Sequence, residues 1–186
     1  RAHMHLIIGG SGFIGTRLAK RLEKLGTSFQ IIDKVKSNSF PDQTQLCDIR
    51  DREALLQIST DADTLINLAA EHRDDVRPKS LYDEVNVQGS QHVCDFAEAN
   101  SINTIVFTSS VAVYGFTEPG TDENGKINPF NDYGRTKWEA ELIYKAWQEK
   151  DPKNRTLVVV RPTVVFGEQN RGNVYNLLKQ IASGKF

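Results

Sequence analysis

The chain has 186 residues, enough for one well-buried core, and its formal net charge of −1 gives no electrostatic reason to expect a nucleic-acid partner. No apolar run approaches the ~20 residues that cross a bilayer, and the first one leads into glycines instead of a signal-peptide cleavage site, so no membrane partner is expected. Two cysteines and four histidines lack metal-ligand spacing, which predicts no metal and free thiols in a cytoplasmic protein.

Short apolar runs alternate with amphipathic stretches from about Met4 onward, whereas residues 1–3 resemble a cloning scar. Strands alternating with helices predict an α/β fold in which a doubly wound parallel sheet is covered on both faces, a Rossmann fold. In chain order, strands are predicted at 6–8, 29–32, 44–47, 64–70, 104–108 and 156–160. Helices are predicted at 13–25, 51–58, 80–100, 132–150 and 173–182.

A glycine-rich turn follows the first predicted strand. Gly9, Gly12 and Gly15 repeat at every third position and lead directly into a predicted helix. Such a turn lets the backbone approach a pyrophosphate, which the free N–H groups of the helix N-terminus bind. The second strand ends at Asp33, roughly 20 residues beyond the turn, where a carboxylate can accept both ribose hydroxyls of NAD. The turn therefore predicts an NAD site, with the preference over NADP weakened by two lysines that follow the acid.

A second pattern lies on the predicted helix 132–150. Tyr133 and Lys137 are four residues apart and so share one face of the helix. A nearby cation favours the phenolate and lowers the pKa of a tyrosine. A serine hydroxyl at the end of strand 104–108, from Ser109 or Ser110, could bond the same substrate oxygen. These groups predict proton removal from an alcohol while its carbon transfers a hydride to NAD.

With these residues assembled, the chain resembles the extended short-chain dehydrogenase/reductase family, and within it the NAD-dependent nucleotide-sugar epimerase/dehydratase group. The resemblance runs from about Met4 to the C-terminus. The motifs that carry it are Gly-Gly-Ser-Gly-Phe-Ile-Gly at 9–15, Asp33, Asp48-Ile49, Asn67-Leu68-Ala69-Ala70, Asn86-Val87-Gln88-Gly89, Thr-Ser-Ser-Val-Ala-Val-Tyr-Gly at 108–115, Tyr-Gly-Arg-Thr-Lys at 133–137, and Arg161-Pro162-Thr163.

The resemblance implies a set of cofactor contacts. Phe13 and Ile14 would lie beside the pyrophosphate with their amides facing it, and Asp33 would hold the adenosine ribose. Asp48 and Ile49 would flank the adenine. The residues expected to line or support the nicotinamide half are Leu68, Ala69, Ala70, Asn86, Tyr133 and Lys137.

The resemblance also selects among the candidate catalytic residues. Ser110 is expected to act with Tyr133 and Lys137, and both Ser110 and Tyr133 would contact the substrate. The charged loop after strand 64–70 lies where a nucleotide-sugar would enter, so His72 and Arg73 are candidate substrate contacts, although a solvated loop would have the same composition.

Two apolar residues after Ser110 make one class of reaction, dehydration, less favoured. Dehydratases of this group place an acid pair directly after the catalytic serine or threonine, where this chain has Val111 and Ala112. Elimination needs such a pair, so an epimerase is favoured. A 4-ketoreductase or dehydrogenase uses the same three catalytic residues and stays open. Related chemistry on steroids or flavonoids also stays open, as does a non-catalytic dinucleotide-binding sensor or scaffold.

The domain prediction follows the same resemblance. Residues 4–170 are expected to form the NAD-binding domain, and 171–186 to begin a C-terminal substrate domain that is largely missing. Such a chain is expected to bind NAD but to hold a nucleotide-sugar weakly. A homodimer is expected through the two long helices, 80–100 and 132–150.

Overall fold

Six parallel strands form the centre of the molecule. The computed structural model describes residues 3–71, 78–110, 131–161 and Lys179. The strands are β1 (Met4–Ile8), β2 (Ser28–Asp33), β3 (Thr44–Leu46), β4 (Thr64–Asn67), β5 (Thr104–Thr108) and β6 (Thr156–Val160). They lie in the order β3-β2-β1-β4-β5-β6, so the chain winds outward from β1 first in one direction and then in the other. The predicted doubly wound fold is confirmed.

The helices largely follow the predicted positions. They are α1 (Phe13–Lys24), α2 (Arg52–Leu56), α3 (Ser80–Tyr82), α4 (Gly89–Ala99) and α5 (Asp132–Glu149), with a short 3-10 turn at Pro41–Gln43. The long helix predicted at 80–100 is interrupted, because Asp83–Gln88 between α3 and α4 forms a π-helix. The predicted helix 173–182 lies outside the described residues except for Lys179.

Two apolar layers cover the sheet. Successive side chains of a strand point to opposite faces, and in β1 this places Leu6 and Ile8 on one side and Ile7 on the other. Leu6 and Ile8 pack with buried residues of α2, α4 and α5, whereas Ile7 packs with α1. The buried side chains of α1 are Leu18, Ala19 and Leu22, which lie on one face of the helix.

Asparagine and aspartate side chains determine where two helices begin. The Asp51 carboxylate accepts the N–H of Ala54 at the start of α2, and the Asn131 side chain accepts the N–H of Gly134 at 2.7 Å at the start of α5. The α5 cap lies two residues before Tyr133, so it fixes the first turn of the helix that carries the predicted catalytic pair.

The cysteines are free and buried, and burial raises the pKa of the Cys94 thiol to about 12. Among the helices described, none has the length and apolar character required to cross a membrane.

Candidate active site

The glycine turn brings the ends of β1, β4 and α1 together. Gly9 has a φ of +80°, and a Cβ there would lie 2.6 Å from the amide nitrogen of Ala69. A Cβ on Gly15 would lie 2.4 Å from the Cα of Gly10. Gly12 differs, because its Cβ would meet only the carbonyl oxygen of Gly9 at 3.7 Å. Gly9 and Gly15 are therefore needed for packing, whereas Gly12 leaves one side of the turn open to a ligand.

The first turn of α1 is suited to an anion. Gly12 is the N-cap and supplies no side-chain cap, and the turn contains no acidic residue. Phe13 and Ile14 are 65% and 38% exposed, and the Arg17 guanidinium lies 3.4 Å from the centre of the Phe13 ring. The N–H groups of this turn and the helix dipole favour a negatively charged group such as a pyrophosphate.

Asp33 is held against the glycine turn at the end of β2. Its Oδ2 accepts the N–H of Ser11 at 3.0 Å, and its Oδ1 accepts the N–H of Val35 at 3.2 Å. The Ser11 hydroxyl donates to the Val35 carbonyl at 2.5 Å, which joins the two segments. A carboxylate offers about four acceptor positions, so Asp33 keeps acceptor capacity for two ribose hydroxyls while its orientation is set by the backbone.

Asp48 and Ile49 follow β3, where they already have protein partners. Arg50 donates to Asp48 Oδ2 at 2.8 Å and to Oδ1 at 3.2 Å, and this hydrogen-bonded ion pair lowers the pKa of Asp48. Ile49 is buried, and a Cβ on Gly89 would lie 2.6 Å from its side chain. The His92 ring bonds the Ile49 carbonyl at 2.7 Å. The contact of both residues with adenine stays a prediction.

The end of β4 supports the centre of the site. Strand pairing stops at Asn67, three residues earlier than predicted, because the Asn67 Oδ1 accepts the N–H of Ala69 at 3.0 Å. The Asn67 amide also donates to the Tyr144 hydroxyl at 2.6 Å. Leu68, Ala69 and Ala70 are half-buried beyond the strand. Leu68 and Ala69 lie beside Gly9 of the glycine turn, and the contact of all three residues with a cofactor stays a prediction.

The π-helix is fastened to the helix that carries Tyr133 and Lys137. Asn86 is 2% exposed, and its amide accepts the Glu71 N–H at 2.9 Å and donates to the Glu71 carbonyl and the Thr136 hydroxyl, each at 3.1 Å. Arg135 donates to both carboxylate oxygens of Asp83, at 3.0 and 2.9 Å. Asn86 thus joins the segment after β4 to α5, and its support of a bound cofactor stays a prediction.

Lys137 is buried and held by a direct hydrogen bond to the end of β5. Its side chain is buried, its ammonium donates to the Thr108 carbonyl at 2.7 Å, and it lies 4.7 Å from the centre of the Phe107 ring. Burial lowers its pKa to about 7, against the opposing attraction of Glu141. Tyr133 is half-exposed one turn earlier, and Ser110 is fully buried two residues beyond Thr108. The structure therefore brings the first turns of α5, which carry Tyr133 and Lys137, next to the end of β5, which Ser110 follows.

The structure also shows residues that the sequence reasoning missed. Glu141 is fully buried on α5, where it accepts the Ser109 hydroxyl at 2.7 Å and an Arg161 N–H at 2.6 Å. Its four-residue spacing from Lys137 was the available signal. Gly10 was also missed as a packing residue, since a Cβ there would lie 2.8 Å from the Ile31 side chain.

Some predicted residues lie outside the part of the chain that the structure describes. They include the candidate substrate contacts His72 and Arg73, and also Val111 and Ala112, whose identity disfavours dehydration. Their roles stay predictions.

Known proteins resemble this chain over nearly its whole length. The model of the NAD dependent epimerase/dehydratase family matches residues 5–185. N-acetyl-α-D-glucosaminyl-diphospho-ditrans,octacis-undecaprenol 4-epimerase from Escherichia coli O157:H7 is 54% identical, over 97% of this chain and 54% of that protein. A UDP-glucose 4-epimerase from Neisseria meningitidis serogroup A is 30% identical, over 97% of this chain and 61% of that protein.

A solved structure of similar fold is that of UDP-glucose 4-epimerase from Brucella ovis in complex with NAD. It has a TM-score of 0.77 and 28% sequence identity, and the match covers 86% of this chain and 51% of that one. The chain spans about half the length of the curated relatives and structures that it matches, at 54%, 61% and 51%.

Proposed function

We propose, from the premise that this chain belongs to the NAD dependent epimerase/dehydratase family, that it binds NAD and contributes the catalytic residues of a sugar epimerase. The observation that carries the proposal is the placement of Lys137. Lys137 lies one helical turn after Tyr133, and its buried ammonium is hydrogen-bonded to the Thr108 carbonyl at 2.7 Å. Thr108 is two residues before Ser110. This supplies a cation beside a tyrosine at the sheet edge where the glycine turn lies.

The residues of the glycine turn fit NAD. The open side of Gly12 and the uncapped first turn of α1 suit its pyrophosphate, and the oriented carboxylate of Asp33 suits the adenosine ribose. The Brucella ovis epimerase, whose structure contains NAD, has the same fold. Bound NAD would supply the hydride acceptor, and the protein would supply the proton chemistry.

In the proposed reaction, Tyr133 as the phenolate removes the proton from a carbinol hydroxyl, and Ser110 donates a hydrogen bond to the same oxygen. Lys137 as the ammonium stabilises the phenolate. The carbon becomes a ketone as its hydride leaves. The ketone would then turn over in the site, so that the hydride returns to its opposite face while Tyr133 gives back the proton. The carbon would be inverted with no net oxidation or reduction. The oxidation of the carbinol and the reduction of the ketone use the same three residues, as an epimerase requires.

The proposed substrate is a sugar carried on a diphosphate. Two kinds of relative differ in the group attached to that diphosphate, since one is named for undecaprenol and the other for a uridine nucleotide. The predicted nucleotide-sugar is consistent with the second. The higher identity to the first, 54% against 30%, favours N-acetylglucosamine on a polyprenyl diphosphate as a second candidate.

The test is to incubate this chain, and any longer protein that contains it, with NAD and with UDP-, GDP- and dTDP-sugars and polyprenyl-diphospho-N-acetylglucosamine. Epimeric product without net NADH supports the proposal. Net NADH supports a dehydrogenase instead, and NAD binding without turnover of any sugar supports a sensor or scaffold. Tyr133→Phe should abolish turnover with NAD affinity retained, and activity that survives this change would refute the mechanism.

We further propose a cytoplasmic homodimer. The free buried thiols suit a reducing compartment. Leu142 on α5 is 46% exposed, and Trp138 and Lys145 lie near it on the same helix, with the Lys145 ammonium 5.2 Å from the Trp138 ring centre. This face suits helix pairing between copies. Sedimentation of Leu142→Asp as a smaller species than wild type would support it, and an unchanged mass would count against this interface.

A further inference from the structure

A buried carboxylate joins three elements behind the catalytic residues. Glu141 lies on α5, four residues after Lys137 and eight after Tyr133, and its side chain has no solvent exposure. Its Oε2 accepts the hydroxyl of Ser109, the neighbour of Ser110, at 2.7 Å. A carboxylate in such a position is costly unless it is paired and hydrogen-bonded.

Arg161 provides the pairing. It follows β6 directly, and its Nη2 donates to Glu141 Oε1 at 2.6 Å while its Nε lies 3.2 and 3.1 Å from the two oxygens. The guanidinium side chain is 18% exposed. Glu141 is therefore hydrogen-bonded to residues at the ends of two adjacent strands, since Thr108 pairs with Val160 one residue before Ser109 and Arg161.

Lys137 lies next to this cluster, one helical turn before Glu141 on α5. Its ammonium bonds a neutral carbonyl, that of Thr108, so its charge has no carboxylate in direct contact among the bonds described. The attraction of Glu141 acts on it through space. From the π-helix, Asp83 is bound to Arg135. Tyr144 packs on Phe107 as a neutral phenol, because burial raises its pKa.

We propose that Glu141 is a positioning residue that holds the Ser109–Ser110 strand end against the catalytic face of α5 and supplies the negative charge that keeps Lys137 an ammonium. The positive charge of Arg161 partly offsets the negative charge of Glu141, and so weakens the attraction between Glu141 and the Lys137 ammonium. The proposal rests on the proposed function, because it takes Lys137 as the cationic partner of Tyr133.

The test measures the titration of Lys137 directly. Carbon-13 NMR of the lysine ε-methylene groups is followed against pH in protein of the full sequence, with Lys137→Arg identifying the resonance. Glu141→Gln should lower the titration midpoint by about one pH unit, because Glu141 opposes the lowering of the Lys137 pKa by burial and loss of a nearby opposite charge has an effect of this order. Arg161→Gln, which keeps a hydrogen-bond donor for Glu141, should raise it. Ser109→Ala keeps both charges and should leave the midpoint unchanged.

The midpoint shifts expected in Glu141→Gln and Arg161→Gln have opposite signs, which distinguishes an electrostatic effect from a general loosening of the fold. Loosened packing would admit water and move the midpoint upward in both charge variants, so shifts of the same sign, or no shift in Glu141→Gln, overturn the proposal. If Glu141→Gln does not fold by circular dichroism, Arg161→Gln is compared with Arg161→Lys, which keeps the positive charge. A midpoint raised in Arg161→Gln but not in Arg161→Lys supports the charge role, and an equal rise in both, or an unchanged or lowered midpoint in Arg161→Gln, refutes it.

Turnover tests the positioning role. Ser109→Ala should lower kcat severalfold with an unchanged KM for NAD, and in Glu141→Gln the basic limb of the pH profile should move down with the NMR midpoint. Wild-type kcat in Ser109→Ala would overturn the positioning role. Because the NMR titration needs no substrate, a wild type without turnover but with the expected shifts would count against the proposed function alone.

Discussion

A single methyl group at Gly12 should remove NAD binding without unfolding the protein. A Cβ at this position would meet only the Gly9 carbonyl oxygen, at 3.7 Å, which is ordinary van der Waals contact, and φ is −77°. Alanine is poorer than glycine as an N-cap, by roughly 0.5–1 kcal/mol, but it reduces the entropy of the unfolded chain by a similar ~0.4–1 kcal/mol. The free energy of unfolding should therefore change by less than about 1 kcal/mol.

The cost of Gly12→Ala should appear in the cofactor affinity instead. The methyl group would stand where the pyrophosphate approaches the backbone of the turn, and we expect a loss of at least about tenfold, or ~1.4 kcal/mol. Urea unfolding measures the first quantity, and calorimetry with NAD measures the second.

Gly15→Ala is the matched control for this prediction. Its Cβ would lie 2.4 Å from the Gly10 Cα and 2.7 Å from the Gly10 carbonyl carbon, so backbone must move. Overpacking of this kind costs roughly 1–3 kcal/mol or more, and the variant should be destabilised whether or not NAD is present. Normal NAD affinity in Gly12→Ala, or wild-type stability in Gly15→Ala, would refute the division of roles within the turn.

Three further predictions address the rest of the fold and site. Tyr144→Phe leaves the buried Asn67 amide without its acceptor at 2.6 Å, so urea unfolding should show a loss of about 1–3 kcal/mol, and a loss near zero would contradict this. Asp33→Asn removes the charge that repels a 2′-phosphate, so calorimetry should show weaker NAD binding and a higher relative affinity for NADP; an unchanged ratio would count against the ribose role. Burial lowers the pKa of His5 in the folded protein, despite the attraction of Asp63, so stability should be full above the ordinary value of 6.5 and fall as the pH drops below it. Thermal unfolding at several pH values should show a weaker dependence in His5→Leu than in wild type, and parallel curves would remove His5 as the cause.

Much of the fold could be predicted because its signals are local. β1, β5 and β6 are centred on short apolar runs, and the glycine turn between β1 and α1 carries its own backbone constraint at Gly9. Position at a strand end was enough to bring Asp33 and Ser110 to one edge of the sheet, because parallel strands end at the same edge.

The residues that were missed depend on tertiary contacts. A glutamate at position 141 has the same sequence signal whether it is solvated or buried, and only the packing of β5 and β6 against α5 shows that it meets Ser109 and Arg161. The early end of β4 depends on a side-chain bond from Asn67 that an apolar run does not reveal. The ion pair of Asp48 with Arg50 was also not evident from the sequence, and the contact of Asp48 with adenine stays a prediction.

The π-helix at Asp83–Gln88 changes the direction in which side chains point along the continuous helix formed by α3, the π-helix and α4. Its wider turn, in which the Gly89 N–H bonds the Glu84 carbonyl, accommodates one residue more than an α-helical turn. An α-helix advances about 100° per residue, so the faces before and after the π-helix are offset by about that angle. Asp83 and Asn86 can therefore face α5 while Val93 faces the sheet. Within Asp83–Gln88, a one-residue deletion should disturb the packing more than most substitutions, because it would rotate the side chains of α3 relative to those of α4.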